Sequence, residues 1–411
     1  MKYGLLGRKL GHSHSPELHR AFGCPDYGLF EVEPEELEAF LRREDIAGLN
    51  VTIPYKRAVL PYLHALSPEA EAIGSVNTIV RRPDGSLWGD NTDARGLNWA
   101  LERSGISLEG RKVLIFGSGG ASLAVRGTAA AGSAREVVVI SRSGEDNYEN
   151  LHRHRDAEIL INATPLGMYP AVEDLPAHPG DFPACRGVVD LVYNPLRTRF
   201  LQEAAALGIP CCGGLGMLAA QAALSEEDFF GKAIGERELQ QALGDLSRKL
   251  ESIVLIGMPG CGKSTIGRLL ARRSGRKLVD TDALVEKRAG CSIPEIFRRE
   301  GEAAFRAMEK AAIAEAALEG GIILVTGGGS VLDRANLPPL KQNGRIYHLE
   351  RSTALLARKG RPLSQSGDLE TMYRQRIGCY EAFRDAVISN EGSPEETAAA
   401  IWEDFCGNTG T

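Results

Sequence analysis

No apolar run in this chain approaches the roughly 20 residues a membrane-spanning helix needs. The first residues, MKYGLLGRKLGHSHSP, lack the apolar stretch of a secretory signal. No membrane partner is expected, and the expected location is the cytoplasm. Blocks rich in Lys or Arg are also missing. With 48 Lys+Arg against 54 Asp+Glu, a net charge of −6, nothing favours a nucleic-acid partner. The eight cysteines have no metal or redox spacing, only Cys211 and Cys212 being adjacent, so reduced thiols are expected in place of a disulfide framework. No internal repeat or low-complexity segment stands out. What remains is a globular composition, 43% hydrophobic and 25% charged. At 411 residues it is too long for one hydrophobic core, so two or three domains are expected. The oligomeric state cannot be read from it.

What the chain does have is two glycine-rich loops for different nucleotides. Short apolar runs alternate with helix-like stretches, which predicts an α/β fold with parallel sheets. KVLIF (Lys112 to Phe116) reads as a buried strand. It is followed by GSGGAS (Gly117, Ser118, Gly119, Gly120, Ala121, Ser122), a helix-like stretch to Ala131, and a second strand EVVVI (Glu136 to Ile140). That order suits a dinucleotide turn of the G-x-G-x-x-[G/A/S] kind. The second strand runs into Ser141, Arg142 and Ser143 with no acid for ribose hydroxyls, so Arg142 suits the 2′-phosphate of NADP(H). Further on, SIVLI (Ser252 to Ile256) precedes GMPGCGKST (Gly257 to Thr265), which fits the phosphate loop G-x-x-x-x-G-K-[ST]. There the backbone from Gly257 through Gly260, Cys261 and Gly262 would form an anion nest for ATP. Lys263 would reach the β- and γ-phosphates, Ser264 would ligate Mg²⁺, and Thr265 closes the motif. The boundary between the halves is expected near Glu251, after a helix-like ERELQQALGDLSRKL.

Four polar clusters mark the first hundred residues: HSHSP (His12 to Pro16), NVTIPYK (Asn50 to Lys56), VNT (Val76 to Thr78) and GDNTD (Gly89 to Asp93). Singly, each has an ordinary structural reading. Ser15-Pro16 suits a helix N-terminus, Asp93 suits a helix cap, Lys56 a surface lysine and Asn77 a turn. In this order, with NATPLGM (Asn162 to Met168), DLVYNPLRT (Asp190 to Thr198) and GLGMLAAQAA (Gly214 to Ala223) after the glycine turn, the first 250 residues or so closely resemble the shikimate dehydrogenase family.

The resemblance implies NADPH-dependent reduction of 3-dehydroshikimate to shikimate. Ser13 and Ser15 would bind the substrate carboxylate, Thr52, Asn77, Tyr193 and Gln221 would line the pocket, and Lys56 with Asp93 would be the catalytic pair. The glycine turn, Ser141 to Ser143, Thr164 and Gly214 would hold the cofactor. It also implies a substrate-binding domain at 1–97 completed by helices within 217–250, and a Rossmann-like NADP domain at 98–216. The stretch from SRS to NATPLGM is short for the family, which predicts one strand-helix unit fewer.

In the other half, KLVDTDALVEKR sets Asp280 and Asp282 at a strand end. They suit helix capping, or one acid supporting the metal shell and the other accepting a hydroxyl proton. FRREGEAAFRAMEK puts Arg306 on a helix, where a pair with Glu302 is the ordinary reading. TGGGS (Thr326 to Ser330), KGRPL (Lys359 to Leu363) and YRQRIGCYEAFRDAVI (Tyr373 to Ile388) complete a set that resembles shikimate kinase over about 251–405. The resemblance implies a phosphate-loop kinase domain with a parallel sheet flanked by helices. Asp282 would hold and deprotonate the shikimate hydroxyl, and Arg306 and Arg376 would clamp its carboxylate. Gly327, Gly328 and Gly329 would lie against the ring. Arg358 and Arg361 would serve ATP from a lid, Arg361 neutralising the transferring phosphoryl, and Asp280 would support Mg²⁺ partly through water.

The two families catalyse consecutive steps towards chorismate and the aromatic amino acids. Two other readings exist: a regulatory protein that kept both folds without catalysis, like certain quinate-pathway repressors, and an NAD-preferring quinate/shikimate dehydrogenase fused to a small-molecule kinase. Intact Lys56, Asp93, Lys263, Ser264 and Asp282 argue against the first, and Arg142 against the second.

Overall fold

A computed structural model describes residues 1–11, 13–356 and 369–407. The chain divides into two compact units, Met1–Asn194 with Thr198–Leu246, and Pro195–Arg197 with Ser247–Thr411. The division falls within the helix Glu236–Leu250.

The first unit carries two sheets. Strands β1 (Lys2–Gly7), β2 (Tyr27–Glu31), β3 (Ile46–Val51), β4 (Ala65–Leu66), β5 (Thr78–Arg81) and β6 (Leu87–Asp90) form a mixed sheet of order β2-β1-β3-β5-β6-β4. Strand β3 is buried along its whole length, because helices cover the sheet and a strand with both faces covered is apolar without alternation. Strands β7 (Lys112–Phe116), β8 (Glu136–Ile140), β9 (Ile159–Asn162), β10 (Gly187–Asp190) and β11 (Cys211–Gly213) form a parallel sheet of order β11-β10-β9-β7-β8. Its order reverses beside β7, and open parallel sheets bind ligands at the carboxyl ends of strands flanking such a point. Between β8 and β9 there is no further strand or α-helix, only a 3₁₀ turn at Leu151–His154. The short stretch noted in the sequence thus leaves β8 at the edge. The helices Thr92–Arg103 and Gly214–Phe230 pack against each other within this unit.

The second unit is built on β12 (Ser252–Ile256), β13 (Leu278–Asp280), β14 (Ile323–Val325), β15 (Gly344–Glu350) and β16 (Ala386–Ser389), all parallel, in the order β13-β14-β12-β15-β16. Strand β12 is fully buried at the centre, so the loop after it emerges at the middle of the sheet's carboxyl edge. The helix Ile293–Ala317 is broken at Gly301, whose φ of +82° suits glycine. The break separates an outer segment from the segment that carries Arg306. Among the described residues no helix is long and apolar enough to cross a membrane, and none of the eight cysteines is paired.

Candidate active sites

In the first unit, the loop after β3 and the start of the helix Thr92–Arg103 bring together two residues far apart in sequence. Lys56 Nζ lies 2.5 Å from Asp93 Oδ2, with the side chains 15% and 10% exposed. Asp93 does not cap its helix; Asn91 does, its side chain accepting from the Ala94 amide at 3.4 Å. The Asp93 carboxylate is thereby available to the lysine. The glycine turn reaches the same place, since a β-carbon on Gly120 would lie 3.8 Å from Lys56 Cδ.

Asn77 is no turn residue. It is buried, accepts from the Thr92 amide at 2.7 Å, donates to Thr92 Oγ1 at 2.9 Å, and approaches Gln221 Oε1 at 3.5 Å. Ser13 accepts from the Ser15 amide at 3.2 Å, and their hydroxyls are 3.1 Å apart. Ser15 opens the helix Ser15–Ala21 without capping it; the cap position is His14. The Tyr193 ring lies edge-on to His14 at 6.1 Å, which brings the loop after β10 to the serines. Burial raises the Tyr193 hydroxyl pKa. Thr52 follows β3, its methyl against Gly7.

Sequence reasoning missed the layer beneath. Asn50 takes the Tyr27 hydroxyl at 2.7 Å and donates to Ser225 Oγ at 2.7 Å, which in turn meets Thr78 and Thr92 at 3.0 and 3.2 Å. All four polar residues are buried and satisfied, so Asn77 stands on a fixed platform. Asp190 was missed as well. Its carboxylate accepts from Asn162, Val192 and Thr198 at 2.9, 3.0 and 2.6 Å, and burial pushes its pKa up to about 6. It sets the loop that carries Tyr193. The signal lay inside DLVYNPLRT, where polar residues flank a strand end.

The dinucleotide turn fits its expected ligand. Gly117 has φ +106°, and a β-carbon there would come within 2.8 Å of Thr164 Cγ2, so only glycine serves. The space beside Gly119 is open, and the helix Gly120–Ala131 starts without a side-chain cap, leaving its first amides to an anion. Arg142 and Ser143 are exposed at the end of β8, and the Ser141 amide donates to the Asp146 carbonyl at 3.2 Å. The Thr164 hydroxyl is engaged with Asn162 Oδ1 at 2.6 Å. Gly214 opens its helix where a β-carbon would sit 2.2 Å from the Leu191 carbonyl oxygen.

In the second unit a cleft of about 340 Å³ is lined by the phosphate loop, Asp280, Asp282, Arg306, Glu309, the 327–329 glycines and Arg376. Gly257, at φ +144°, leaves no room for a side chain, the Leu349 carbonyl oxygen being 2.6 Å from where a β-carbon would lie. Lys263 Nζ donates to the Gly257 and Met258 carbonyls at 2.7 and 3.1 Å. Ser264 donates to Asp280 Oδ2 at 3.0 Å, and Asp280 Oδ1 caps the next helix through the Asp282 amide at 3.1 Å. Asp280 therefore combines the capping role with a hydroxyl partner. Among the described residues no cluster of three or more His, Cys, Asp or Glu could enclose a metal. One hydroxyl and one carboxylate suit Mg²⁺, which keeps several waters and binds chiefly through substrate phosphates.

Asp282 is different. Its Oδ1 is buried with no hydrogen-bond partner, and its pKa is raised to about 6 by burial first and by Asp280 second. Arg306 pairs with Glu302 at 3.1 Å, as its ordinary reading requires, and with the buried Glu309 at 2.7 Å. Burial raises the Glu309 carboxyl, and its Oε1 also lacks a partner. Sequence reasoning missed Glu309; its only signal is an acid three residues past Arg306. A β-carbon on Gly327 would lie 2.3 Å from Glu309 Oε1 and 2.7 Å from Asp282 Oδ1, so the bare backbone keeps this polar floor open. The Gly328 carbonyl accepts from Arg376 at 3.2 Å and Tyr380 at 2.6 Å. Arg358 and Arg361 lie outside the described residues.

Gly328 abuts the Pro259 ring of the phosphate loop, where an added β-carbon would come within 2.6 Å. The ring cannot rotate away, so Gly328→Ala forces the two loops apart. Overpacking of this kind costs about 1–3 kcal/mol, and the thermal unfolding transition of the second unit is expected to fall by several degrees. A wild-type transition would show that the loops yield.

An ammonium–carboxylate pair beside a dinucleotide turn defines a two-lobed α/β dehydrogenase, and a phosphate loop over a polar cleft defines a small-molecule kinase. Residues 5–79 match the family model of the shikimate dehydrogenase substrate binding domain, and residues 259–405 that of shikimate kinase. The chain belongs to the shikimate dehydrogenase family, and it carries a shikimate kinase domain as well. It is 37% identical over 247 residues to the shikimate dehydrogenase (NADP⁺) of Clostridium beijerinckii, covering 55% of this chain and 90% of that protein. Among solved structures it resembles a chorismate mutase/shikimate 5-dehydrogenase fusion from Clostridium acetobutylicum, with 34% identity, 60% of this chain and 97% of the other covered, and a TM-score of 0.57. Similar too is the Thermus thermophilus shikimate 5-dehydrogenase in complex with NADP(H) and shikimate, at 35% identity, 59% and 98% coverage and a TM-score of 0.53.

Proposed function

We propose that this chain reduces 3-dehydroshikimate to shikimate with NADPH and then phosphorylates shikimate to shikimate 3-phosphate with Mg-ATP, two consecutive steps towards chorismate. The observation that carries the reading is that both sets of reacting groups stand intact in one chain, the product of one reaction being the substrate of the other. The substrate lobe comprises 1–97 with helices from 217–250, the NADP lobe 98–216 and the kinase 251–405.

NADPH supplies the hydride when bound, along the glycine turn with Ser141, Arg142, Ser143, Thr164 and Gly214. Hydride addition to a carbonyl leaves an alkoxide, which needs a proton. Lys56 gives its proton to that oxygen. Asp93, 2.5 Å away, keeps the ammonium oriented. Ser13 and Ser15 hold the substrate carboxylate, and Thr52, Asn77, Tyr193 and Gln221 hold the ring hydroxyls.

Mg-ATP supplies the phosphoryl group when held by residues 260–265, with Ser264 and Asp280 at the metal. Asp282 accepts the proton of the attacking hydroxyl; its free oxygen in a desolvated pocket suits that task. Arg306 and Arg376 take the carboxylate, for which a guanidinium fork is well shaped. Gly327 to Gly329 lie against the ring.

The test is product analysis by mass spectrometry after incubating full-length protein with 3-dehydroshikimate, NADPH, ATP and Mg²⁺. Shikimate 3-phosphate is the expected product. Shikimate alone would refute the kinase assignment, and unreacted 3-dehydroshikimate would refute the dehydrogenase.

A further inference from the structure

Beside the phosphate loop stands a guanidinium that no carboxylate among the described residues balances. Arg351 directly follows β15, the neighbour of the strand that leads into the loop. Its side chain is partly buried, and its Nε is enclosed without a hydrogen-bond partner. Among the described residues it forms no ion pair. The adjacent Glu350 is occupied by the Tyr373 hydroxyl at 2.9 Å. Arg351 Nη1 lies 4.0 Å from the position a β-carbon would take on Gly262, the residue before Lys263. Asn390 braces the same corner. It donates to the Cys261 carbonyl at 2.5 Å and accepts from Thr397 at 2.8 Å, which fixes the peptide that orients the loop.

A half-buried guanidinium without a counter-charge is costly to hold. Its planar fork matches phosphate oxygens in two-point contact. We propose that Arg351 is a nucleotide-binding residue whose guanidinium takes phosphate oxygens of the nucleoside polyphosphate held by the loop. The proposal rests on reading 257–265 as a nucleotide site. It concerns a cation at the end of a central strand, separate from Arg358 and Arg361.

Calorimetric titration of the full-length protein with ATP, and separately ADP, tests it without an acceptor. Arg351→Ala is expected to weaken ATP at least about tenfold, the scale of one charge-assisted hydrogen bond. The variant should also flatten the salt dependence of that affinity, and Arg351→Lys should restore part of both. A loss for ATP and ADP alike places the contact at the α- or β-phosphate; a loss for ATP alone places it at the γ-phosphate. The dehydrogenase rate and the thermal transition serve as controls. Affinity and salt dependence equal to wild type would overturn the proposal, including where the thermal transition falls. If wild-type protein binds neither nucleotide, both the proposal and the reading of the loop fail.

Discussion

Replacing Lys56 with alanine is expected to lower the turnover of 3-dehydroshikimate reduction by roughly 10²- to 10⁴-fold, the range for losing a positioned proton donor. The alkoxide formed by hydride addition would then depend on water for its proton, in a cleft where the wild-type lysine side chain is only 15% exposed. The Michaelis constant for NADPH should stay near its wild-type value, because it is the stem of Lys56 that faces the glycine turn, Cδ lying 3.8 Å from the position a β-carbon would take on Gly120. Kinase activity in the same preparation should be unchanged. Removing the lysine also leaves Asp93 without its cation, so a thermal unfolding curve must accompany the rates. A folded Lys56→Ala protein that turns over at the wild-type rate would end the assignment.

The second large effect is expected at Asp282. Asn keeps the shape and removes the proton acceptor, and the phosphoryl-transfer rate should fall by roughly 10²- to 10⁴-fold. The pH profile supplies an independent reading. The carboxyl is pushed up to about 6 by burial and by Asp280. Below that pH the free protein holds Asp282 protonated, and a protonated carboxyl cannot accept the hydroxyl proton. Kinase kcat/KM should therefore decline as pH falls through about 6, and the residual rate of Asp282→Asn should lack that acidic limb. An acidic limb that survives unchanged in Asp282→Asn would assign the titration to another group.

Much of both sites was legible because the decisive features are local. A strand, a glycine turn and a helix in sequence are able to form an anion site from local backbone alone, since the helix N-terminus and the glycine backbone supply the donors without help from distant residues. Motif order did the same for Lys56 and Asp93, although nothing in the spacing said that they would meet at 2.5 Å. Asp93 and Asn77 each had an equally good local reading as a cap and a turn. The structure decides between them: Asn91 takes the cap, and Asn77 sits buried on a platform of Asn50, Thr78, Thr92 and Ser225.

Glu309 was not legible. On the helix it reads as one more charged residue near Arg306, and its burial is produced by the glycine loop after β14, remote in sequence. Arg351 was hidden for the same reason, because a missing partner is a property of the whole neighbourhood. Asp280 and Asp282 show the contrast most sharply. Two aspartates separated by one residue look equivalent in DTD, yet one caps a helix and meets Ser264 while the other keeps a bare, desolvated oxygen.

By itself, then, the amino-acid sequence determined the α/β architecture, the two nucleotide loops and the pair of families, since periodicity, turn chemistry and motif order act over a few residues at a time. Tertiary structure alone decided, among the described residues, which charges are paired, which carboxylate is bare and which cation lacks a counter-ion. Desolvation and Coulomb interactions depend on what the fold packs around a group, and those neighbours come from segments tens of residues away.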